Sequence, residues 1–387
     1  MTDPLIPRFE ANGWQAVVAD QFTFANLRLV TQAICNHIRR LQNYIDNFPP
    51  RLVVGYDNRF MGQHFAEIAA EVILQNGLDV YFADRPAPTP AVSWMISNLV
   101  TTGAIMITGG DEPSQYNGVK FITSRMAIAS EDTTTVIEDE LARLAQLSHP
   151  LAVSANPGEK EVHNPKSAYF RQLERFVDAG LIASISEQVT VDYLHGIGSG
   201  YLRELLRPAG ATINELQNNP LADFGGVVPS LIPDNLLELR SQVRQSEAPL
   251  AMGLALDGDA SHLQVVDERG ELVPHDEIAG LLLDYLLTHK QREGGLIKTS
   301  RRHDFAEQVA ALHGVPVTYA LTSDFRVITT NMVQEMALLA SDGLGGYAYD
   351  GHIMERDALL TALMLLEMLA VRQQPISQQL QALRARL

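Results

Sequence analysis

Short apolar runs that stop abruptly at Gly, Asp or Pro alternate along the whole chain with longer segments patterned as helices, and this alternation most limits the folds open to it. Strands are expected at 51–57, 79–83, 104–108, 188–192, 211–215, 250–257, 296–299 and 315–319. Helices are expected at 23–43, 66–76, 131–147, 167–183, 233–245, 276–289 and 355–371, with one opening after Gly200. Near-continuous apolar strands are buried on both faces and need helical crossovers, so the pattern predicts an α/β fold with helices covering the sheets. A polar stretch around Pro157, Gly158 and Pro165 suggests a boundary, and three consecutive α/β domains are expected at 1–155, 156–272 and 273–387.

Charge narrows the function. Lys and Arg number 29 against 46 Asp and Glu, a formal net charge of -17, and no basic block is present to track a phosphate backbone, so nucleic acid is not an expected partner. No apolar run approaches the roughly 20 residues a bilayer requires and the N-terminus carries no signal core, so no membrane partner and a cytoplasmic location are expected. Cys35 is the only cysteine, so any metal must take oxygen or imidazole ligands.

Two loops invite chemical readings. His195-Gly-Ile-Gly-Ser-Gly200 lies between an expected strand and helix, either as a tight turn or as a cradle of backbone N–H groups for a phosphate. Asp257-Gly258-Asp259 follows an apolar strand, and the two carboxylates either converge on a hard cation or sit in a solvated turn.

These segments and several others, in order, resemble the alpha-D-phosphohexomutases, the superfamily of phosphoglucomutase and phosphomannomutase. Phe9-Glu-Ala-Asn-Gly-Trp-Gln-Ala16, Gly55-Tyr-Asp-Asn-Arg59, Asp84-Arg-Pro-Ala-Pro-Thr-Pro90, Tyr116-Asn-Gly-Val-Lys120, Asp223-Phe-Gly-Gly226, Leu256-Asp-Gly-Asp-Ala260 and Gly351-His-Ile353 are similar to family segments. The resemblance implies three consecutive phosphohexomutase-type α/β domains. Family members transfer a phosphoryl group between a phosphoserine and a hexose phosphate, with Mg²⁺, and usually have a fourth domain, which is expected to be absent here.

The resemblance also implies losses. The family's Thr-Ala-Ser-His-Asn-Pro falls on Thr108-Gly-Gly-Asp-Glu-Pro113, putting Gly110 where the phosphorylated serine belongs. Its Asp-Gly-Asp-Ala-Asp-Arg falls on Asp257-Gly-Asp-Ala-Ser-His262, and its sugar loop Gly-Glu-Glu-Ser-Gly-Gly on Ser341-Asp-Gly-Leu-Gly-Gly346, leaving Asp342 as the acid of a degenerate sugar-binding loop. Ala11, Asn12 and Gln15 replace a Thr, an Asp and a phosphate-gripping Arg. Lys120, a proton-transfer candidate, and Arg59 are the expected catalytic remnants, with a surface ion pair for Arg59 and a solvated Lys120 as the alternative. Asp111 and Glu112 are expected to join Asp257 and Asp259 in holding Mg²⁺ or Ca²⁺ without phosphorylation, or else to remain solvated. No phosphate-binding residues are identified.

Without its nucleophile the covalent route is closed. The expectation is a catalytically degenerate member acting as a binding, regulatory or scaffold protein; the alternative is a divergent phosphohexose mutase or phosphotransferase using Mg²⁺. Sugar phosphate is one expected ligand. A homo-oligomer or a protein partner is also expected, because the apolar helix at 359–369 lies where a lost fourth domain would expose surface.

Overall fold

The structure is a computed structural model that describes residues 6–42, 50–299 and 304–387. The chain forms two compact units that meet in sequence after Tyr169.

The first unit contains β1 (Trp14–Val17), α1 (Phe24–Gln42), β2 (Arg51–Tyr56), α2 (Gly62–Gln75), β3 (Asp79–Ala83), α3 (Thr89–Leu99), β4 (Gly103–Ile107), β5 (Tyr116–Thr123), α4 (Glu131–Leu144) and β6 (Lys160–His163). Its six strands form one sheet in the order β1-β5-β4-β2-β3-β6. The β2, β3, β4 and β6 strands run parallel, whereas β5 is antiparallel to both β4 and β1. Every residue of β4 is buried, as expected of a strand covered on both faces. Gly55 in β2 lets α3 approach, since a Cβ there would lie 2.5 Å from Val92 Cγ2. The Ser130 side chain accepts from Thr133 N and starts α4, with Glu131 and Asp132 favouring the positive end of the helix dipole.

The first sheet extends beyond the expected limit at 155. Polar residues at 160–163 suggested a linker, but β6 pairs in register with β3 from Lys160 to His163. An edge strand satisfies backbone groups on one side only and tolerates exposed polar side chains, so its composition hides it.

The helix α5 (Pro165–Leu173) spans the junction, the second unit starting at Phe170. Next come α6 (Ala179–Ala183), β7 (Val189–Asp192), α7 (Tyr201–Leu206), β8 (Asn214–Leu216), α8 (Leu237–Gln245), β9 (Met252–Leu256) and β10 (Leu263–Val266). The chain continues through α9 (His275–Thr288), β11 (Leu296–Lys298), α10 (Phe305–His313), β12 (Val317–Tyr319), α11 (Phe325–Glu335), β13 (Leu339–Ser341), β14 (Tyr347–Tyr349), α12 (Ala358–Arg372) and α13 (Ile376–Arg384). Two four-stranded sheets result, ordered β10-β9-β7-β8 and β12-β11-β13-β14. The single helix expected at 167–183 is two, because Asp178 caps a fresh start by accepting from Gly180 N and Leu181 N.

The apolar helix expected at an exposed end is instead interior. Every α12 residue from Ala358 to Ala370 is buried. Its Glu367 carboxylate accepts from Asp178 N at 2.7 Å and from Tyr285 Oη at 2.8 Å. The chain's own elements cover this helix, so it offers no apolar face to drive association.

Candidate functional site

In the first unit, β2 and β4 are parallel neighbours, so the loops leaving their C-terminal ends lie side by side, where open α/β sheets place ligand sites. Asp57 follows β2, and its carboxylate accepts from Arg59 N at 2.9 Å and from Thr108 Oγ1 at 2.6 Å. Thr108 Oγ1 in turn accepts from Gly110 N at 3.0 Å. Arg59 stands 3.3 Å from Asp57 through Nε. Its Nη1 donates to Pro113 O (2.8 Å) and Tyr116 O (3.1 Å), and its Nη2 to Gly110 O (2.8 Å) and Glu112 O (2.6 Å). Only a planar guanidinium fork reaches four carbonyls of one loop in this way.

Arg59 and Lys120 are each only 3% exposed, so the surface ion pair and the solvated lysine are both excluded. Lys120 lies on β5, and a Cβ built at Gly110 falls 3.9 Å from its Nζ. Gln15 Nε2 donates to Gly109 O at 2.8 Å, so the replacement for the expected arginine is spent on the loop backbone. Asp111 is exposed. Burial, and then the neighbouring Asp111 charge, push the Glu112 carboxyl up despite the opposing pull of Arg59.

In the second unit, Asp257 follows β9. Its Oδ1 accepts from Ser261 N (2.8 Å) and His262 N (3.1 Å), and its Oδ2 from Ser261 Oγ (2.9 Å) and His262 Nδ1 (2.8 Å). The other imidazole nitrogen, Nε2, lies 3.2 Å from Asp342 Oδ2 in the loop after β13. Asp342 also accepts from Leu344 N at 2.8 Å, Gly346 N at 2.9 Å and Arg356 Nε at 2.8 Å. Burial disfavours charge on His262, but the hydrogen bonds to Asp257 and Asp342 outweigh it and push its pKa up to about 10. Burial alone would raise Asp342, but the His262 hydrogen bond and the Arg356 charge hold it well below the usual carboxylate range. Asp259 is fully buried beside this network. Leu344 is exposed at 58% and brings no hydrogen-bonding group to the sugar loop.

The 195–200 segment is a turn. His195 N, Gly196 N, Ile197 N and Ser199 N are all bonded to backbone carbonyls, with Ile197 N reaching Gly258 O at 3.1 Å. Four of the six N–H groups of the segment are thus already used within the protein, and Ile197 N buttresses the Asp257 loop. Among the described residues no group of three or more His, Cys, Asp or Glu side chains is disposed to hold a metal ion.

Sequence reasoning missed Arg356 and the role of His262. Arg356 carries no motif. His262 was visible as a substitution, but its second partner, Asp342, lies 80 residues away.

Comparison with known proteins bears on the whole chain. Models of phosphoglucomutase/phosphomannomutase alpha/beta/alpha domains I, II and III match residues 7–148, 167–270 and 274–387. The chain belongs to the phosphoglucomutase/phosphomannomutase family. A phosphoglucomutase/phosphomannomutase of Thermococcus kodakarensis is 25% identical over 322 residues, covering 83% of this chain and 69% of the relative. A phosphoglucosamine mutase of Nitratidesulfovibrio vulgaris is 26% identical over 331 residues, 85% of this chain and 72% of that one. A structure from Thermus thermophilus, assigned as a phosphomannomutase, superimposes with a TM-score of 0.88 at 27% identity, covering 100% of this chain and 84% of that one.

An Aspergillus fumigatus N-acetylphosphoglucosamine mutase solved with GlcNAc-6P and magnesium shares the fold at a TM-score of 0.54 and 14% identity, over 97% of this chain and 79% of that one. The divalent cation expected at Asp257 and Asp259 meets a poor fit at Asp257. A hard cation needs carboxylate lone pairs, whereas both Asp257 oxygens face two N–H or O–H donors each.

Proposed function

We propose that this family member binds hexose phosphates without running a serine phosphorylation cycle. The observation that supports this reading is the loop at Gly110. Arg59 clamps the loop backbone and Lys120 stands beside position 110, but the residue itself has no side chain. Phosphoryl transfer needs an acceptor held in line and charge compensation around the phosphate. A glycine supplies no acceptor. Removal of the covalent nucleophile costs the pathway, not merely a factor in its rate.

A second reading, a divergent phosphohexose mutase, is supported by the relatives' names, which are those of phosphoglucomutase/phosphomannomutase and phosphoglucosamine mutase. A coupled assay of glucose 1-phosphate to glucose 6-phosphate conversion, primed with glucose 1,6-bisphosphate, separates the two. The binding reading expects no turnover, together with a rise in Tm when hexose phosphates are titrated in. Turnover that disappears in a Lys120→Met variant would establish the mutase reading instead.

A further inference from the structure

From Met368 to Leu387 the chain carries three arginines and no acidic residue, although Asp and Glu outnumber Lys and Arg by 46 to 29 overall. Arg384 is compensated by Glu277, 2.5 Å away. Arg372 and Arg386 instead share one carboxylate. Asp284, near the end of α9, is 3% exposed, and its Oδ2 accepts from Arg372 Nη2 at 2.6 Å. Its Oδ1 accepts from Arg386 Nη1 at 3.2 Å and lies 2.7 Å from His313 Nε2. Even with a neutral imidazole, two guanidinium charges stand against one carboxylate, and a positive charge is left over in a chain whose net charge is negative.

These groups open on a cavity of about 300 Å³ lined also by Thr288, Gln374 and Gln379, with Asp284 its only acid among the described residues. We infer that this cavity is an anion site that takes a phosphate group, free or esterified. Its donors are set in place beforehand. Arg372 Nη1 donates to Gln379 Oε1 at 3.2 Å, and the buried Gln379 is itself fixed by donating from Nε2 to Gln374 O at 2.7 Å. Among the described residues these bonds use two of the five N–H groups of Arg372 and one of the five of Arg386, so donors remain for a ligand. Two forks brought in by separate helices suit the tetrahedral oxygens of a phosphate better than the two of a carboxylate. The site is remote from the metal loop. Ala358 N, at the start of α12, bonds to Ala260 O at 3.2 Å, and Arg372 lies at the other end of that 15-residue helix, roughly 20 Å away.

The test uses the full chain, with inorganic phosphate and glycerol 3-phosphate as probes and sodium chloride and sodium acetate at matched ionic strength as controls. Tm is expected to rise with the phosphate probes and not with the controls, the stronger probe showing whether the free or the esterified group is preferred. Amide exchange of the wild type is expected to slow at 284–288 and 372–386 when phosphate is present. Arg386 is half-exposed and lies beyond the end of α13, so Arg386→Gln is expected to fold, and to need at least about tenfold more phosphate for the same rise in Tm. Lys120→Met, in the first unit, is expected to respond to inorganic phosphate as the wild type does, which separates this site from the proposed hexose-phosphate site. Should Arg386→Gln fail to fold, the exchange pattern of the wild type decides. No phosphate-specific rise up to about 50 mM, an equal rise in acetate, slowed exchange confined to other segments, or an unaltered response in Arg386→Gln would overturn the inference.

Discussion

Gly110 has φ +58°, a left-handed conformation that costs a side-chain-bearing residue about 1 kcal/mol, but the space around it is open. An added Cβ meets nothing closer than Gln15 Nε2 at 3.5 Å and Lys120 Nζ at 3.9 Å. Gly110→Ser is therefore expected to fold with a Tm a few degrees lower. It is also expected to remain unmodified by mass spectrometry after incubation with glucose 1,6-bisphosphate, because a hydroxyl alone does not restore charge compensation. A stable phosphate adduct would contradict that. Asp192, at the end of β7, titrates differently from a surface acid. Burial pushes its carboxyl up to about 6, only partly opposed by the bond from Leu194 N. A raised acid favours the folded state while protonated, so this stabilisation is complete below the ordinary value near 3.8 and is lost as pH rises through about 6. Asp192→Asn keeps the neutral form, and its unfolding free energy from urea titration is expected to exceed that of wild type at about pH 8, by up to roughly 3 kcal/mol, and to converge with it near pH 4.

At the scale of elements, the loop between β4 and β5 owes its shape to one side chain from the end of β2. Arg59→Lys keeps the charge but reaches fewer of the four carbonyls, and each buried acceptor left unpaired costs about 1–3 kcal/mol. The variant is expected to lose roughly 2–4 kcal/mol by denaturant titration, with amide exchange accelerating first at 109–116. A fall below 0.5 kcal/mol, on the scale of an ordinary surface change, would show that the loop holds itself. The same elements differed in how far their sequences revealed them. α1 and α12 were recognisable because long apolar periodicity marks a helix within a residue or three of its ends. β5 was not marked as a strand, because Asn117, Gly118 and Lys120 interrupt its apolar pattern, although all three are buried. β13 and β14, at three residues each, are too short for any period to register. β6 is concealed by its polar edge.

For the whole molecule, the first unit has a complete sheet and its own core, in which Phe22, Phe65, Leu52, Ile105 and Ile137 pack together. A fragment of residues 1–169 is expected to fold alone, with helical circular dichroism and one cooperative melt; a fragment that is molten or aggregated would count against an independent core. Sequence alone determined the α/β class, the family and the absence of a hydroxyl at position 110, because periodicity, motif order and residue identity are local properties. Tertiary structure alone decided what the retained charges do. Arg59 became a backbone clamp and His262 a bridge because strand register brought partners 51 to 57 and 80 residues away into hydrogen-bonding distance. A charge is readable in a sequence, whereas the group that compensates it depends on which loops the sheets set side by side.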